Sequence, residues 1–377
     1  MSLKRSINGK KPGALLIEYG KVNIGSFTFD SGDQLEEVEL AYELAGKRNR
    51  PVVIVCHALT GNQNTVGTND QPGWWSGLIG PGRYIDTNEY MVITFNVLGG
   101  CSGSTGPASI NPKTGSTYKQ DFPEITIRDI VRAQHQALQK LGIHEAKAII
   151  GGSLGGMQAW EWGILYPSFS ELLIPLAATP FLSDYAIAFN TIGRTAIMAD
   201  PEWQGGYYPD GKKLAGLEIA RMVGMVTYRT DYLFSNRFQR EQKVDGAEFQ
   251  VESYLKYQGE KLAARFDANS YLRLLSAMDR HDIGFNRKNW QEALKQVQAS
   301  VLLLGFTGDL LYPPHAIKEA ADLLLEQNKE SVFFEVKTNF GHDGFLTEFS
   351  NWSGHIKTAL DSGLRGVDKC KPLTLYY

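Results

Sequence analysis

Short runs of consecutive aliphatic and β-branched residues recur along the chain, and each predicts a strand that is buried on both faces. The runs are Val52–Cys56, Met91–Phe95, Lys147–Ile150, Leu172–Ala177, Val301–Leu304 and Val332–Val336. Near the start of the chain, three segments instead mix apolar and polar residues, as half-exposed antiparallel strands do. These segments are Ala14–Tyr19, Val22–Phe29 and Glu39–Ala45. The pattern predicts a mostly parallel sheet with an antiparallel edge.

Helical patterns alternate with the buried runs. Between Ile125 and Leu141 apolar residues recur at helical spacing, and Thr126 with Asp129 fits a capping box. A second helix is predicted to follow Ser153 and to reach Tyr166. A C-terminal amphipathic helix is indicated by Phe345, Phe349, Trp352, Ile356 and Leu360. Buried strands that alternate with helices predict an α/β fold in which helices cover both faces of the sheet.

The middle of the chain has a different pattern of residues. From about 179 to 300 it is aromatic-rich and helical, and the strand-like runs resume only at Val301. We therefore expect one α/β core, formed by residues 1–178 and 301–377, with residues 179–300 inserted as a helical cap.

Composition narrows the function classes. The net charge of −3 and the lack of long blocks of like charge argue against a nucleic-acid surface or a basic membrane face. The first residues, MSLKRSINGKK, are not followed by an apolar stretch, so we expect no signal peptide, and no apolar run is long enough to span a bilayer. Three scattered cysteines (Cys56, Cys101 and Cys370) favour a reducing compartment over a disulfide framework. We expect a soluble cytoplasmic protein with no metal site and no bound cofactor.

The strongest local motif is Gly151-Gly152-Ser153-Leu154-Gly155, which stands between a predicted strand and a predicted helix. Glycines two positions before and after a serine allow the sharp turn of a nucleophile elbow. A glycine-rich turn of this kind can also bind phosphate or simply reverse the chain. The strand and helix on either side favour Ser153 as a nucleophile in an α/β-hydrolase fold.

A serine nucleophile needs a base, and the base needs an orienting carboxylate, in the chain order Ser, Asp, His. Asp309 follows the run Val301–Leu304, and His342 comes shortly after Val332–Val336. The alternative is a purely structural role for each residue: Asp309 as part of a turn, and His342 at the N-terminus of a helix. The correct order of all three predicts the triad Ser153, Asp309 and His342.

An oxyanion hole needs two backbone N–H groups. We expect one from Leu154, directly after the nucleophile. The other should come from the loop His57–Gly61 after the first buried run, and we choose Leu59.

Further motifs extend over most of the chain. They are His57–Gly61, Pro72–Trp75, Gly80–Gly82, Asp86-Thr87, Asn96–Cys101, Gly103–Pro107, Asp121–Pro123, Gly151–Met157 and Gly341–Asp343. Together they resemble the homoserine O-acyltransferases of methionine biosynthesis. The resemblance implies transfer of an acetyl group from acetyl-CoA to Ser153 and then to the hydroxyl of L-homoserine. It also implies that the cap excludes water and that the protein is a homodimer.

The resemblance further implies that Arg221 binds the carboxylate of the acceptor and that Asp343 binds its ammonium group. A structural ion pair for Arg221 and helix capping for Asp343 are the plain alternatives. The motif Thr307-Gly308-Asp309 stands where many relatives carry Ser-Asp, and Glu202–Tyr208 fits the family pattern only loosely.

Several functions share this machinery. Succinyl-CoA as donor and L-serine as acceptor are open, and so is hydrolysis of the acyl-enzyme by a carboxylesterase. A non-catalytic binding protein of the same fold is disfavoured, because all three triad positions are occupied.

Overall fold

The computed structural model describes residues 15–244 and 246–367. Ala14 and Cys370, which entered the sequence interpretation, lie outside these residues. The strands are β1 (Ile17–Thr28), β2 (Gln34–Ala45), β3 (Val52–Cys56), β4 (Ile79–Gly80), β5 (Ile85–Asp86), β6 (Met91–Phe95), β7 (Ala146–Gly152), β8 (Ser170–Leu176), β9 (Ser300–Phe306) and β10 (Ser331–Val336).

The large sheet has the strand order β1-β2-β6-β3-β7-β8-β9-β10. β1 pairs with β2 and β2 with β6 in antiparallel orientation, while β6, β3, β7, β8, β9 and β10 run parallel. This confirms the predicted mostly parallel sheet with its antiparallel edge. The predicted runs fall on strands of this sheet, apart from Ala177, which follows the end of β8. The run Val332–Val336 is not buried on both faces as predicted, because β10 is an edge strand: its residues 332–334 are half-buried and Glu335 is exposed.

Helices pack against the sheet and also make up the inserted segment. They are α1 (Ile127–Lys140), α2 (Leu154–Leu165), α3 (Asp184–Met198), α4 (Ala215–Thr227), α5 (Asp231–Phe238), α6 (Gln250–Ala263), α7 (Ala268–Asp279), α8 (Trp290–Leu294), α9 (Pro314–Glu326), α10 (Phe349–Ser362) and α11 (Leu364–Val367). One hydrophobic core includes residues of α1, α2 and α9, and a second includes residues of α10 and α11. The fold is the α/β arrangement that the sequence predicts.

Helix α1 begins where its sequence indicates. The Thr126 hydroxyl accepts a hydrogen bond from the Asp129 N–H, and the Asp129 carboxylate accepts one from the Thr126 N–H. These two bonds satisfy amide groups that have no partner inside the helix.

The inserted segment lies between the end of β8 at Leu176 and the start of β9 at Ser300, and it contains α3 to α8. Helix α3 packs against α4, and α4 packs against α6. Its division from the core at 179 and 300 stays a prediction.

Two local predictions were wrong. The segments Ala14–Tyr19 and Val22–Phe29 are not separate strands, because β1 continues through Lys21 with irregular pairing near Gly25. Phe345 does not begin the C-terminal helix. It belongs to the 3-10 turn Gly341–Leu346, and α10 starts later, at Phe349.

A long-range contact joins the loop after β3 to the turn after β10. The indole N–H of the fully buried Trp75 donates to the carbonyl oxygen of Phe345 at 3.0 Å. No helix among the described residues is long and apolar enough to cross a membrane.

Candidate active site

The loops that carry the predicted residues meet at one edge of the sheet. Strands β3, β7, β9 and β10 are parallel, so their carboxyl ends lie on the same side. The loop that starts at His57 follows β3, and Ser153 follows β7 directly. Asp309 follows β9, and His342 lies in the turn after β10. Such an edge is where α/β sheets place their ligand sites.

Ser153 stands in a strained turn between β7 and α2. Its φ of 57° and ψ of −123° are unfavourable for a residue with a side chain. The surrounding glycines make room for the turn. A Cβ on Gly151 would lie 2.5 Å from the Gly155 backbone, and one on Gly155 would lie 2.1 Å from the Cys56 carbonyl oxygen. The glycine pattern of the sequence is therefore a steric requirement of this turn.

Asp309 and His342 form a buried pair. The His342 Nδ1 and Asp309 Oδ2 atoms are 2.8 Å apart, and each residue is only 4% exposed. The other Asp309 oxygen accepts hydrogen bonds from the Leu311 and Tyr312 N–H groups, both at 2.9 Å. Because the carboxylate accepts from Nδ1, the proton belongs on that nitrogen, and Nε2 keeps a lone pair. That tautomer is the one a general base needs.

Aromatic rings hold the imidazole of His342 in place. The ring of Tyr312 is stacked on it at 5.1 Å, and Tyr228 and Phe345 lie at 5.5 and 5.4 Å. Phe345 also packs against the backbone of Gly152, where a Cβ would come within 2.4 Å of its ring. These contacts bring Ser153 and His342 to the same pocket. Among the described residues, the two side chains make no direct hydrogen bond, a common situation in enzymes without substrate.

The hydroxyl of Tyr312 is buried beside the same pocket. It has no hydrogen-bond partner at good geometry within the described residues. Burial raises the pKa of this hydroxyl, and an interaction with Ser153 partly opposes the rise. Tyr312 thus contacts two triad members directly, Asp309 through its N–H and His342 through its ring, and its hydroxyl lies near Ser153.

The loop after β3 is held by His57. Its Nδ1 lies 2.7 Å from the Ala58 carbonyl oxygen, and the Val97 N–H donates to its Nε2 at 3.1 Å. Burial lowers the pKa of His57 to about 4, so the ring is neutral at pH 7. The N–H groups of Leu59 and Leu154 find no acceptor among the described residues. Leu154 opens helix α2, where free N–H groups are expected.

Arg221 lies on α4, with its guanidinium 5.8 Å from the centre of the Tyr228 ring. That ring in turn contacts His342, which places Arg221 near the pocket. Arg221 forms no ion pair within the described part of the chain. A structural ion pair, the plain alternative for this residue, is therefore not what the described residues provide.

Asp343 has a partner that the sequence interpretation missed. The Arg229 Nε donates to Asp343 Oδ2 at 2.9 Å, and Arg229 Nη1 donates to the Tyr254 hydroxyl at 2.6 Å. The pair fixes the direction of the Asp343 carboxylate. The structure thus brings Asp343 next to the base, already joined to one cation.

Other residues of this pocket also escaped the sequence interpretation: Tyr228, Arg229 and Tyr312. Tyr228 and Arg229 follow the Arg221 motif in the sequence, yet only the fold brings residue 229 to residue 343. Tyr312 lies three residues after Asp309, and this proximity was the one available signal.

The two cysteines in the described part of the chain have unreactive thiols. Cys56 is fully buried, and burial raises the pKa of Cys101 to about 11, so its thiol stays protonated. Within the described residues, His, Cys, Asp and Glu side chains form no group suited to hold a metal ion.

Comparisons with known proteins agree with this geometry. A family described as the alpha/beta hydrolase fold matches residues 51–349. The crystal structure of esterase E22 resembles the chain with a TM-score of 0.85 and 28% identity, covering 92% of this chain and 100% of that one. The protein therefore has the α/β-hydrolase fold.

Matches to individual enzymes also extend over most of the chain. The chain is 42% identical to the homoserine O-acetyltransferase of Carboxydothermus hydrogenoformans over 362 residues, which cover 92% of this chain and 96% of that protein. The crystal structure of homoserine O-acetyltransferase from Bacillus anthracis has a TM-score of 0.87 and 28% identity, covering 92% of this chain and 98% of that one. The chain belongs to the homoserine O-acetyltransferase family, and the resemblance seen in its motifs is confirmed.

Proposed function

We propose that the protein transfers the acetyl group of acetyl-CoA to the side-chain hydroxyl of L-homoserine, giving O-acetyl-L-homoserine for methionine biosynthesis. The observation that carries the proposal is the buried His342–Asp309 pair beside the Ser153 elbow, in a chain of this family.

In the first half-reaction, His342 Nε2 takes the proton of the Ser153 hydroxyl as its oxygen attacks the thioester carbonyl. The oxyanion that forms accepts hydrogen bonds from the Leu59 and Leu154 N–H groups. The C–S bond then breaks, His342 returns the proton to the leaving thiolate, and CoA departs. Ser153 is left as an acetyl ester.

In the second half-reaction, the homoserine hydroxyl attacks the acetyl ester while His342 takes its proton. The bond to Ser153 breaks, and His342 returns the proton to the serine oxygen. Arg221 holds the acceptor carboxylate, since a guanidinium fork matches a carboxylate. Asp343 holds the ammonium group, with Arg229 fixing its direction. The absence of an ion pair at Arg221 among the described residues supports this assignment.

Hydrolysis is the second candidate function, because the same acetyl-enzyme is released by water. The structural likeness to esterase E22 favours it. Burial of Ser153 and His342, 5% and 4% exposed, favours transfer, because a transferase must keep water from the acetyl ester. Transfer to L-serine and use of succinyl-CoA belong to the same test.

The test is a thiol-release assay with acetyl-CoA in the presence of L-homoserine, of L-serine or of neither. We expect release that depends on homoserine, O-acetyl-L-homoserine as the product and loss of activity in Ser153→Ala. Equal release with and without acceptor, together with free acetate, would make the protein a hydrolase. Release that needs serine or succinyl-CoA would replace one substrate and keep the mechanism.

We also infer a cytoplasmic homodimer formed through the inserted helices. Apolar side chains that are about half exposed support the dimer: Tyr185, Ile192 and Met198 on α3, and Ile219 and Val226 on α4. Helices α3 and α4 pack side by side, so these residues belong to one region of the surface. An apolar surface of this kind marks an interaction site.

A further inference from the structure

A groove of about 860 Å³ opens between the loop after β3 and the end of α6. On one side it is lined by residues 60–64, 68 and 71–74 of the loop, and on the other by Lys261 and Arg265. Nothing in the reaction described so far assigns it a ligand.

The groove carries uncompensated positive charge. Its lining contains Lys261 and Arg265 but no Asp or Glu, and neither cation forms an ion pair with a described residue. Nearby cations are neutralised: Lys256, on the same helix as Lys261, lies 2.7 Å from Glu248. Partial burial and then the charge of Arg221 lower the pKa of Arg265, so a third cation lies close by. A site of this kind attracts a multiply charged anion.

One end of the groove lies beside the loop that carries Leu59. Arg265 Nη1 donates to the Thr60 carbonyl oxygen at 3.0 Å, and Thr60 directly follows Leu59. Arg221 lies over the Tyr228 ring, which contacts His342. A ligand in the groove would therefore lie beside the loop that supplies one of the proposed oxyanion-hole N–H groups.

The remaining lining suits the rest of such a ligand. Amide side chains of Asn62, Gln63 and Asn64 offer hydrogen bonds, and Trp74 and Tyr19 offer aromatic surface. The Trp74 ring is fixed, because its N–H donates to the Asn62 carbonyl oxygen at 3.0 Å. Amides match a pantetheine arm, and aromatic rings stack on a nucleobase.

We propose that this groove binds the phosphorylated nucleotide end of the acyl-CoA donor, with Lys261 and Arg265 contacting its phosphate groups, while the thioester reaches Ser153. The inference rests on the proposed acyl transfer and assigns its donor site. Lysine and arginine are the residues that bind phosphate groups, arginine through its planar fork.

The two half-reactions of the proposed mechanism allow a sharp test. In such a ping-pong reaction, kcat/KM for acetyl-CoA reports only the first half, and kcat/KM for L-homoserine only the second. We expect Lys261→Gln and Arg265→Gln each to lower the first parameter about tenfold relative to the second, as loss of a charge-assisted contact to phosphate predicts. The matched control is Lys140→Gln, an exposed lysine on α1. It should leave both parameters as in the wild type.

Salt provides a second readout. Raising the ionic strength should lower kcat/KM for acetyl-CoA in the wild type, and less so in Lys261→Gln, because screening removes an attraction that the variant has already lost.

The outcomes separate two failures. If Lys261→Gln and Arg265→Gln change neither parameter, or lower both equally, the cations do not bind the donor and the inference is overturned. Wild-type protein that transfers no acetyl group to homoserine would overturn the proposed function itself, and this inference with it.

Discussion

At Ser153 a single residue combines chemistry with an unfavourable backbone. A φ of 57° suits glycine, and a side chain there carries a conformational cost of about 1–3 kcal/mol. The N–H of Ser153 donates to the carbonyl oxygen of Leu176 at 3.0 Å. This hydrogen bond to the neighbouring strand β8 stabilises the strained turn. The turn that exposes the Ser153 hydroxyl to the pocket therefore lowers the stability of the fold.

This cost predicts an inversion of the usual glycine effect. Ser153→Gly should be more stable than Ser153→Ala by about 1 kcal/mol, because glycine relieves the strain and alanine does not. Urea unfolding of both inactive variants measures the difference. The control pair is Ser235→Gly and Ser235→Ala in helix α5, where glycine should be the less stable by about 1 kcal/mol. The idea fails if glycine is the less stable residue at both positions.

The role of a single residue can be predicted from the sequence where a local motif or a fixed chain order marks it. The Ser153 elbow has a motif of its own, and Asp309 and His342 follow strands in a fixed order. The pairing of Arg229 with Asp343 obeys no local rule, because the two residues come together only when the turn after β10 meets the end of α4. The unpartnered hydroxyl of Tyr312 is invisible to sequence reasoning for the same reason.

At the scale of elements, strand β2 organises the loop that forms the groove. Its Glu43 is 2% exposed, and its carboxylate accepts hydrogen bonds from three successive N–H groups, those of Thr65, Val66 and Gly67, at 2.7–2.9 Å. Burial raises the pKa of Glu43, and the hydrogen bonds from Val66 and Gly67 oppose that rise. An acid in a strand thus fixes a loop that has little regular structure.

Removing this charge should be costly. We expect Glu43→Gln to lower the free energy of unfolding by about 3 kcal/mol, because the amide side chain offers one acceptor oxygen and sets its NH₂ group against backbone donors. Glu37→Gln, at an exposed position of the same strand, should change it by less than about 0.5 kcal/mol. Chemical denaturation of the two variants checks this, and equal stabilities would refute the role of Glu43.

Elements were predicted well where their burial is uniform. The central strands β3 and β6 are apolar along their length, and α1 carries its own capping signal. The errors fell where tertiary contacts decide. β1 runs as one irregular strand because β2 pairs along most of its length, and Phe345 packs in a turn against His342 before the last long helix starts.

At the scale of the whole molecule, the inserted helices have one surface that faces the catalytic pocket and another that is exposed. Arg221 on α4 faces the catalytic pocket through Tyr228, while Ile219 and Val226 of the same helix are exposed. The change from strand-like runs to an aromatic-rich, helical pattern near residue 179 predicted that an insertion exists. It did not reveal which of its faces are buried, because that depends on how its helices pack against one another.

The exposed apolar surface gives a prediction about assembly. Light scattering should give a mass twice that of the chain for the wild type, and Ile192→Glu should shift the protein toward the monomer, because a charge would be buried at the interface. The control is Leu325→Glu, an equally exposed leucine on α9. A wild type that is monomeric, or an Ile192→Glu variant that stays dimeric, would exclude this surface.

The bond between Trp75 and Phe345 joins positions 270 residues apart, and it has a consequence during synthesis. The ribosome delivers the chain from its N-terminus, and early parts begin to fold before later ones exist. Ser153 and the loop with Leu59 emerge long before His342, and the turn that fixes them comes with the last strand. A half-made chain therefore holds a serine without its base, so the protein gains its activity only near the end of its own translation.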